Sequence, residues 1–229
     1  MAKHDTSGTL PSLTGQIVLL TDYHRKKRTE PISIAIKKLK TETMEYSKVC
    51  PWWMGYMLLV PIRKFSHNPQ KILSPYLKPG MRVIDFGCAM GYFSLPMAQM
   101  VGSSGKVYCF DIQQKMLDKL KCRAEKAGVR EIIEPKLIAG NESDFEGMEQ
   151  SADFALLFAV AHEVPDRKKL FADLYRMLKP QSFLYFAEPP GHVKKEEFQQ
   201  SVSLAEQAGF NVLGPANVSK THSVILQKL

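Results

Sequence analysis

Val83-Ile84-Asp85-Phe86-Gly87-Cys88-Ala89-Met90-Gly91-Tyr92-Phe93-Ser94 is the stretch on which the fold turns. A short apolar run, residues 81–86, closes on an acid and enters a turn of small residues. The apolar spacing that follows, over residues 92–101, is helical. A strand that runs through glycines into a helix is the opening unit of a doubly wound α/β sheet. Gly87 and Gly91 permit the tight turn and let the backbone come close to a ligand. The helix behind them aims its unpaired N–H groups at the same place.

Downstream the pattern repeats. Residues 106–110 form a second strand ending at Asp111, 26 positions after Asp85. Residues 113–127 read as an amphipathic helix closed by Gly128, a residue suited to the left-handed position after a helix. Strands follow at 132–138 and 152–160, a helix at 166–178 with Lys179-Pro180 just past it, a strand at 182–186, and a helix at 194–208 ended by Gly209. Strands at 210–213 and 223–229 complete the chain. Such alternation predicts a parallel sheet covered on both faces. The last two strands have no helix between them and are expected as an antiparallel, hairpin-like pair at the sheet edge. The expected fold is therefore α/β, a doubly wound and mostly parallel sheet of about seven strands with the last antiparallel.

Upstream the chain differs in character. The whole protein of 229 residues carries a net charge of +8, yet residues 1–71 hold 12 Lys+Arg against 5 Asp+Glu, while residues 72–229 hold 19 against 18. The basic excess thus belongs to the N-terminal third. Few aromatics interleave the run Arg25-Lys26-Lys27-Arg28, so a solvated face is favoured over a nucleic-acid contact. Residues 1–14 are polar, 16–20 could form a strand, and 31–46 place Ile32, Ile36 and Leu39 at helical spacing behind Pro31. Both tryptophans, Trp52 and Trp53, sit side by side with Tyr56 close behind. The expected organisation is a basic, partly helical extension over 1–68, serving as a possible lid, and a main domain over 69–229.

Several classes are excluded. No run of about 18 apolar residues exists, so no membrane span is expected. The N-terminus lacks the apolar core of a secretory signal, which points to the cytoplasm. The four cysteines, Cys50, Cys88, Cys109 and Cys122, contain no CxxC pair, so no metal is expected. Cys88 and Cys109 fall in apolar context and read as reduced packing thiols.

The glycine turn also discriminates between ligands. A dinucleotide needs GxGxxG because its pyrophosphate lies against the backbone. Counting from Gly87, the second place holds Ala89 and the third Tyr92, too large for close helix–strand packing. Asp85 would repel a pyrophosphate, whereas an acid ahead of the glycines suits the ammonium of S-adenosyl-L-methionine (SAM). An acid at the end of the second strand, Asp111, suits ribose hydroxyls.

These residues bring the chain from about Met81 to Leu229 into resemblance with the class I SAM-dependent methyltransferases, whose sheet is Rossmann-like. Within them it is most similar to the small-molecule group related to the ubiquinone/menaquinone-biosynthesis and arsenite methyltransferases. Asp85-Phe86-Gly87-Cys88-Ala89-Met90-Gly91 matches the first motif and Asp111, followed by Ile112, the ribose-binding acid. Gly140-Asn141-Glu142 falls in the adenine-side loop. Asp153 through Ala159 to Val164 matches the fourth strand and its catalytic-side loop, and Leu178-Lys179-Pro180 with Phe183 through Pro189 the next strand. There are departures. Ala89 stands where glycine is usual, Asn141 where an aspartate commonly holds the adenine amino group, and Pro180-Gln181-Ser182 where Pro-Gly-Gly is frequent. An Asn/Asp-Pro-Pro-Tyr motif is absent, which argues against nucleobase amines as acceptors.

The resemblance implies an in-line transfer of the SAM methyl to a small-molecule methyl acceptor. The cofactor would be held by Asp85, Gly87, Cys88, Ala89, Gly91, Asp111, Ile112, Asn141, Glu142 and Ala159. An RNA or protein methyltransferase docking through the basic segment, and a SAM-binding protein without turnover, are the competing expectations. His162 is the first polar side chain past the fourth strand and is a candidate general base, with adjacent Glu163 the second choice. Trp52, Trp53 and Tyr56 are candidates for the acceptor pocket or its lid.

Overall fold

The structure is a computed structural model that describes residues 51–59, 67–140, 142–216, 218 and 221–229. The expected strand at 16–20 and helix at 31–46 lie outside the described residues, so the division at residue 68 stays an expectation. Among the described residues, no helix is long and apolar enough to cross a membrane.

The main elements are α1 (Pro69–Leu73), β1 (Arg82–Phe86), α2 (Ser94–Val101), β2 (Lys106–Asp111), α3 (Gln114–Lys126), β3 (Ile133–Leu137), β4 (Ala152–Phe158), α4 (Arg167–Met177), β5 (Leu178–Glu188), α5 (Lys195–Gln207), β6 (Phe210–Pro215) and β7 (His222–Lys228). Among the described residues there are also three 3₁₀ turns, Trp52–Leu59, Glu142–Phe145 and Ala161–Glu163. The seven strands form one sheet in the order β3-β2-β1-β4-β5-β7-β6. β1 to β5 are mutually parallel wherever they pair. β7 runs antiparallel to both β5 and β6.

The expected α/β fold with an antiparallel last strand is the one observed, with a refinement at the edge. β7 inserts between β5 and β6, so β6 is the edge strand. Burial explains the placement. Val224, Ile225 and Leu226 of β7 are buried in succession, which requires a covered interior slot. β6 alternates buried Phe210 with exposed Asn211 and tolerates one open side.

Each face of the sheet carries its own apolar layer. Ile84, Phe86, Phe110, Leu157 and Phe186 face α4 and α5 with Phe171, Leu174 and Phe198. Val83, Val107, Cys109, Phe154 and Tyr185 face α1, α2 and α3 with Leu73, Met97, Val101 and Leu120. Truncating one of the fully buried rings, Phe154 or Phe186, removes packing worth about 3–5 kcal/mol.

Element ends differ from the sequence reading in several places, most of all around β4 and β5. The helix before β5 passes into the strand without a loop, at Met177–Leu178. Between the partner pairs Ala152↔Leu178 and Phe154↔Phe183, β5 uses five residues where β4 uses two. The surplus bulges out with Gln181 at φ +65°, in the left-handed region that the usual glycine would favour. β4 ends at Phe158, two residues before the expected end at 160, and the chain turns at Ala159 (φ +59°).

The fold has one further consequence for the site. From β1 the sheet is extended to one side by β2 and to the other by β4. The strand order thus reverses at β1, and in open α/β sheets ligands bind beyond the carboxyl ends of the strands at such a point.

Candidate active site

The glycine turn follows the carboxyl end of β1 at that point and is held by the chain's own hydrogen bonds. The N–H groups of Gly87 and Cys88 both donate to the carbonyl of Phe110, at 2.9 and 3.0 Å, so the turn is hung from the end of β2. The N–H of Gly91 donates to the Cys88 carbonyl at 2.9 Å, closing it. From α3, Arg123 donates to the Met90 carbonyl. Gly87, Ala89 and Gly91 all adopt left-handed backbone, at φ +72°, +47° and +81°. A Cβ on Gly91 would lie 2.3 Å from a methyl of Leu120, and one on Gly87 2.5 Å from a methyl of Val160. Glycine is therefore required at both positions for conformation and for space. Ala89 meets only the conformational demand.

Three acids mark the carboxyl ends of strands around this turn. Asp85, at β1, is 3% exposed and accepts a hydrogen bond of 2.5 Å from the hydroxyl of Ser94 at the start of α2. Asp111, at β2, accepts the N–H of Ala89 at 2.9 Å on one carboxylate oxygen and the N–H of Gln113 at 2.8 Å on the other. Burial raises its pKa above the ordinary carboxylate value, opposed by hydrogen bonds from the N–H groups of Gln113, Ala89 and Ile112. The third acid, Glu188, ends β5 and is 1% exposed.

Glu188 reaches across to the 3₁₀ turn that follows β4. One carboxylate oxygen lies 2.7 Å from Nδ1 of His162, and the other accepts the main-chain N–H of the same residue at 3.2 Å. The hydrogen bond to Glu188 raises the His162 pKa above the ordinary imidazole value, partial burial opposes it, and the charges of Glu188, Glu163 and Glu197 add to the rise. With Nδ1–H donated to the carboxylate, the neutral imidazole presents Nε2 as an acceptor. The ring of His192 stands edge-on to that of His162, with centroids 5.5 Å apart.

The candidate residues therefore gather along one edge. Asp85, Gly87, Cys88, Ala89, Gly91 and Asp111 form a contiguous cradle, with Ile112 following on the exposed side. Ala159 donates its N–H to the Ala187 carbonyl at 2.8 Å, tying the β4 turn to β5, and Val160 packs against Gly87. His162 and Glu163 are half-buried in the next turn. Asn141 lies outside the described residues, as does the side chain of Glu142. Cys88 and Cys109 are buried free thiols, as expected; burial pushes the Cys88 thiol well up, with Cys109 beside it adding to the rise.

The aromatic candidates lie beside the cradle. Gly55, in the turn Trp52–Leu59, is buried so closely that a Cβ there would sit 2.9 Å from both Met90 Cε and Met116 Sδ. Lys115 places its ammonium over the Trp52 ring at 5.0 Å. Trp53 and Tyr56 are exposed, at 58% and 49%. Among the described residues, no group of three or more His, Cys, Asp or Glu side chains is arranged to hold a metal ion.

Sequence reasoning missed Glu188, Ser94 and Arg123. Glu188 carried the signal that had identified Asp85 and Asp111, an acid ending a buried apolar strand. Ser94 and Arg123 carried none, because their partners are set by the packing of α2 and α3.

The residues present fit SAM. The oxygens of Asp111 accept backbone N–H groups of Ala89, Gln113 and Ile112, and a carboxylate has a lone pair left for a ribose hydroxyl. Asp85 sets a buried carboxyl group at the end of β1, next to the glycine turn.

Residues 77–222 match a family model described as a methyltransferase domain. A demethylmenaquinone methyltransferase of Geobacillus sp. (strain WCH70) is 27% identical over 104 residues, 45% of this chain and 43% of that protein. One from Lactobacillus johnsonii is 30% identical over 104 residues, 45% of this chain and 42% of that protein. The match thus spans less than half the length of these curated relatives. Among solved structures, a SAM-dependent methyltransferase from Aquifex aeolicus has a TM-score of 0.70 at 25% identity, covering 79% of this chain and 100% of that one. A SAM-dependent O-methyltransferase from Thermotoga maritima has a TM-score of 0.57 at 17% identity, covering 79% and 72%, a likeness of fold alone.

Proposed function

We propose, from the premise that this chain belongs to the methyltransferase domain family, that it transfers the methyl group of SAM to a small-molecule acceptor. The observation that carries this reading is the Asp111 carboxylate. It holds the Ala89 N–H of the glycine turn and lies at the strand end where ribose hydroxyls bind. The sequence motif and the geometry of the turn meet at that one group.

SAM, when bound, supplies an electrophilic methyl group on a sulfonium. The chain's own residues do the rest. Asp111 orients the ribose and Asp85 takes the ammonium. The Gly87–Gly91 turn brings main chain close to the ligand. His162 stands past the β4 turn on the same edge and accepts a proton where the acceptor carries one. The turn Trp52–Leu59, whose Gly55 packs against Met90 and Met116, covers the cradle in this reading and holds the acceptor by Trp52, Trp53 and Tyr56. Holding two reactants in line can supply much of the acceleration without covalent chemistry from the protein.

Calorimetry with SAM, S-adenosylhomocysteine and NAD tests the reading. SAM and S-adenosylhomocysteine are expected to bind and NAD not to. Tighter binding of NAD than of SAM would overturn it.

A further inference from the structure

We propose that the turn Trp52–Leu59 docks the chain on an anionic lipid surface. Trp53, Met54 and Tyr56 seat at the boundary of headgroups and acyl chains, and basic residues of the N-terminal third meet the headgroup charge. This goes beyond the transfer reaction and stands whatever the acceptor is.

The turn has two unlike sides. In a 3₁₀ helix, residues three apart lie above one another. Trp52 and Gly55 therefore share one side, and Trp53 and Tyr56 share another. The first side faces the domain. Gly55 is buried against Met90 and Met116, and the half-buried Trp52 ring lies under the Lys115 ammonium at 5.0 Å. The second side is open, with Trp53, Met54 and Tyr56 all exposed. Among the described residues seven large apolar side chains are exposed, and three of them fall within these four positions. The other four, Ile112, Leu137, Leu213 and Leu229, lie apart in the chain. Single exposed leucines are ordinary, whereas a clustered apolar patch marks a contact surface. The turn cannot roll to bury this side without pulling Gly55 away from the two methionines. The patch is therefore held outward by packing.

Composition selects the occupant. From 49 to 62 the chain has no charged residue, and Met57, Leu58, Leu59, Val60 and Ile62 continue the apolar character of the aromatics. A run of 14 such positions is too short to span a bilayer and has the length of a segment that lies in its interface. Tryptophan and tyrosine join a large ring to one polar atom, and they collect where headgroups meet acyl chains. Charge completes the match. Residues 63–71 carry Arg63, Lys64 and Lys71 and no acid, and residues 1–48 hold nine Lys+Arg against five Asp+Glu. Cations beside a shallow apolar insertion direct it to anionic lipids, because neither signal anchors strongly alone. A single-stranded nucleic acid also takes aromatics and cations, but its bases stack on rings and leave the aliphatic run without a partner. A second copy would set one basic segment against another, a repulsive pairing.

Trp52 and Trp53 are the only tryptophans of the chain, so intrinsic fluorescence reports this turn alone. The test mixes the full chain with unilamellar vesicles of phosphatidylcholine, with and without phosphatidylglycerol, and then with brominated acyl chains. The chain is expected to sediment with the anionic vesicles and not with the neutral ones. Its emission should shift to shorter wavelength, brominated chains should quench it, and raised salt should release the protein. Trp53→Glu should lower partitioning at least about tenfold, Trp53→Phe should keep most of it, and Lys115→Ala should cause a smaller loss. The urea midpoint of Trp53→Glu should stay near that of the wild type, because the side chain is exposed. Quenching of the wild-type chain decides the matter without any variant. Failure to sediment with anionic vesicles would overturn the proposal. So would sedimentation with emission neither shifted nor quenched, which would place the contact elsewhere on the basic chain. A spectral shift that grows with protein concentration and comes with a doubled mass, in the absence of lipid, would assign the turn to a second copy. Quenching by an oligouridylate in preference to anionic vesicles would assign it to nucleic acid. Either result overturns the lipid reading.

Discussion

The two halves of the carboxyl edge are built from different kinds of bond. On the β1–β2 side, the carboxylates are tied to a hydroxyl and to main-chain N–H groups, with Asp85 on Ser94 and Asp111 on Ala89 and Gln113. Those donors do not titrate. On the β4–β5 side, Glu188 is tied to the ring of His162, which does. On the proposed reading, the half that would hold the cofactor is set by fixed dipoles, and the half that would handle a proton is set by an ionisable pair. If this division is real, substitutions on the two sides should separate binding from turnover.

The largest effect is expected at His162. His162→Ala should lower turnover by about 10²–10⁴-fold, the usual contribution of general-base catalysis, while SAM affinity stays nearly intact. Parallel loss of SAM affinity, measured by calorimetry, would erase the distinction between the halves. Gly91→Ala should act on the other side and through stability. Its new Cβ meets Leu120 at 2.3 Å and its φ of +81° is unfavourable for any L side chain. Left-handed strain of about 1–2 kcal/mol and overpacking of about 1–3 kcal/mol should add, read as a lowered urea midpoint. An unchanged midpoint would show that the turn is looser than its bonds indicate.

Asp111→Ala should weaken SAM binding at least about tenfold, equivalent to about 1.4 kcal/mol, because it removes a charge-assisted acceptor and the clamp on Ala89. The pH dependence of the two sides should be opposite in meaning. The folded-state pKa of Asp111 lies above its ordinary value, so on acidification the folded chain takes up this proton before the unfolded chain does. Protonation relieves a burial penalty on the fold while removing the charge that ribose needs. SAM affinity should therefore fall as pH drops through that pKa without loss of fold from this group. The folded-state pKa of His162 is also raised, so its ion-pair stabilisation is fully present below the ordinary imidazole value and fades as pH rises through the folded one. Turnover, which needs the neutral ring, should rise over that same upper range. Calorimetry across pH and a rate profile with SAM saturating read the two separately.

How much of this was legible beforehand follows the same division. The cradle was readable because each requirement fell on one residue type at fixed spacing. Asp85, Gly87, Gly91 and Asp111 are local to two strand ends, and the alternation of strands and helices gave the parallel sheet. The insertion of β7 inside β6 was not readable from the absence of a helix between them, although three successive apolar residues in β7 did hint at an interior strand. His162 was visible as the first polar side chain after β4. Its partner was missed because the two are 26 positions apart and meet only once β5 lies beside β4. Arg123 was further out of reach, since its role depends on the direction in which α3 packs.

The smallest effect expected is at Ala89, and it tests the cradle most finely. Gly87→Ala and Ala89→Gly are the same chemical change in opposite directions, two residues apart, in a turn where both positions are left-handed. At Gly87 the added methyl would lie 2.5 Å from Val160, which is pinned because the neighbouring Ala159 N–H is bonded to β5. That substitution should destabilise the fold and displace the β4 turn. At Ala89 the methyl is already present, and the position meets Asp111 through its N–H, which glycine retains. Replacing alanine there relieves left-handed strain of about 1–2 kcal/mol. It also frees the unfolded chain, which costs about 0.4–1 kcal/mol. The net change should be between nothing and a stabilisation of about 1.6 kcal/mol, with SAM affinity unchanged within about twofold. A marked loss of SAM affinity in Ala89→Gly would mean that the alanine methyl itself touches the ligand. The cradle would then depend on a side chain as well as on backbone dipoles, and the contrast between its two halves would be weaker than the hydrogen bonds suggest.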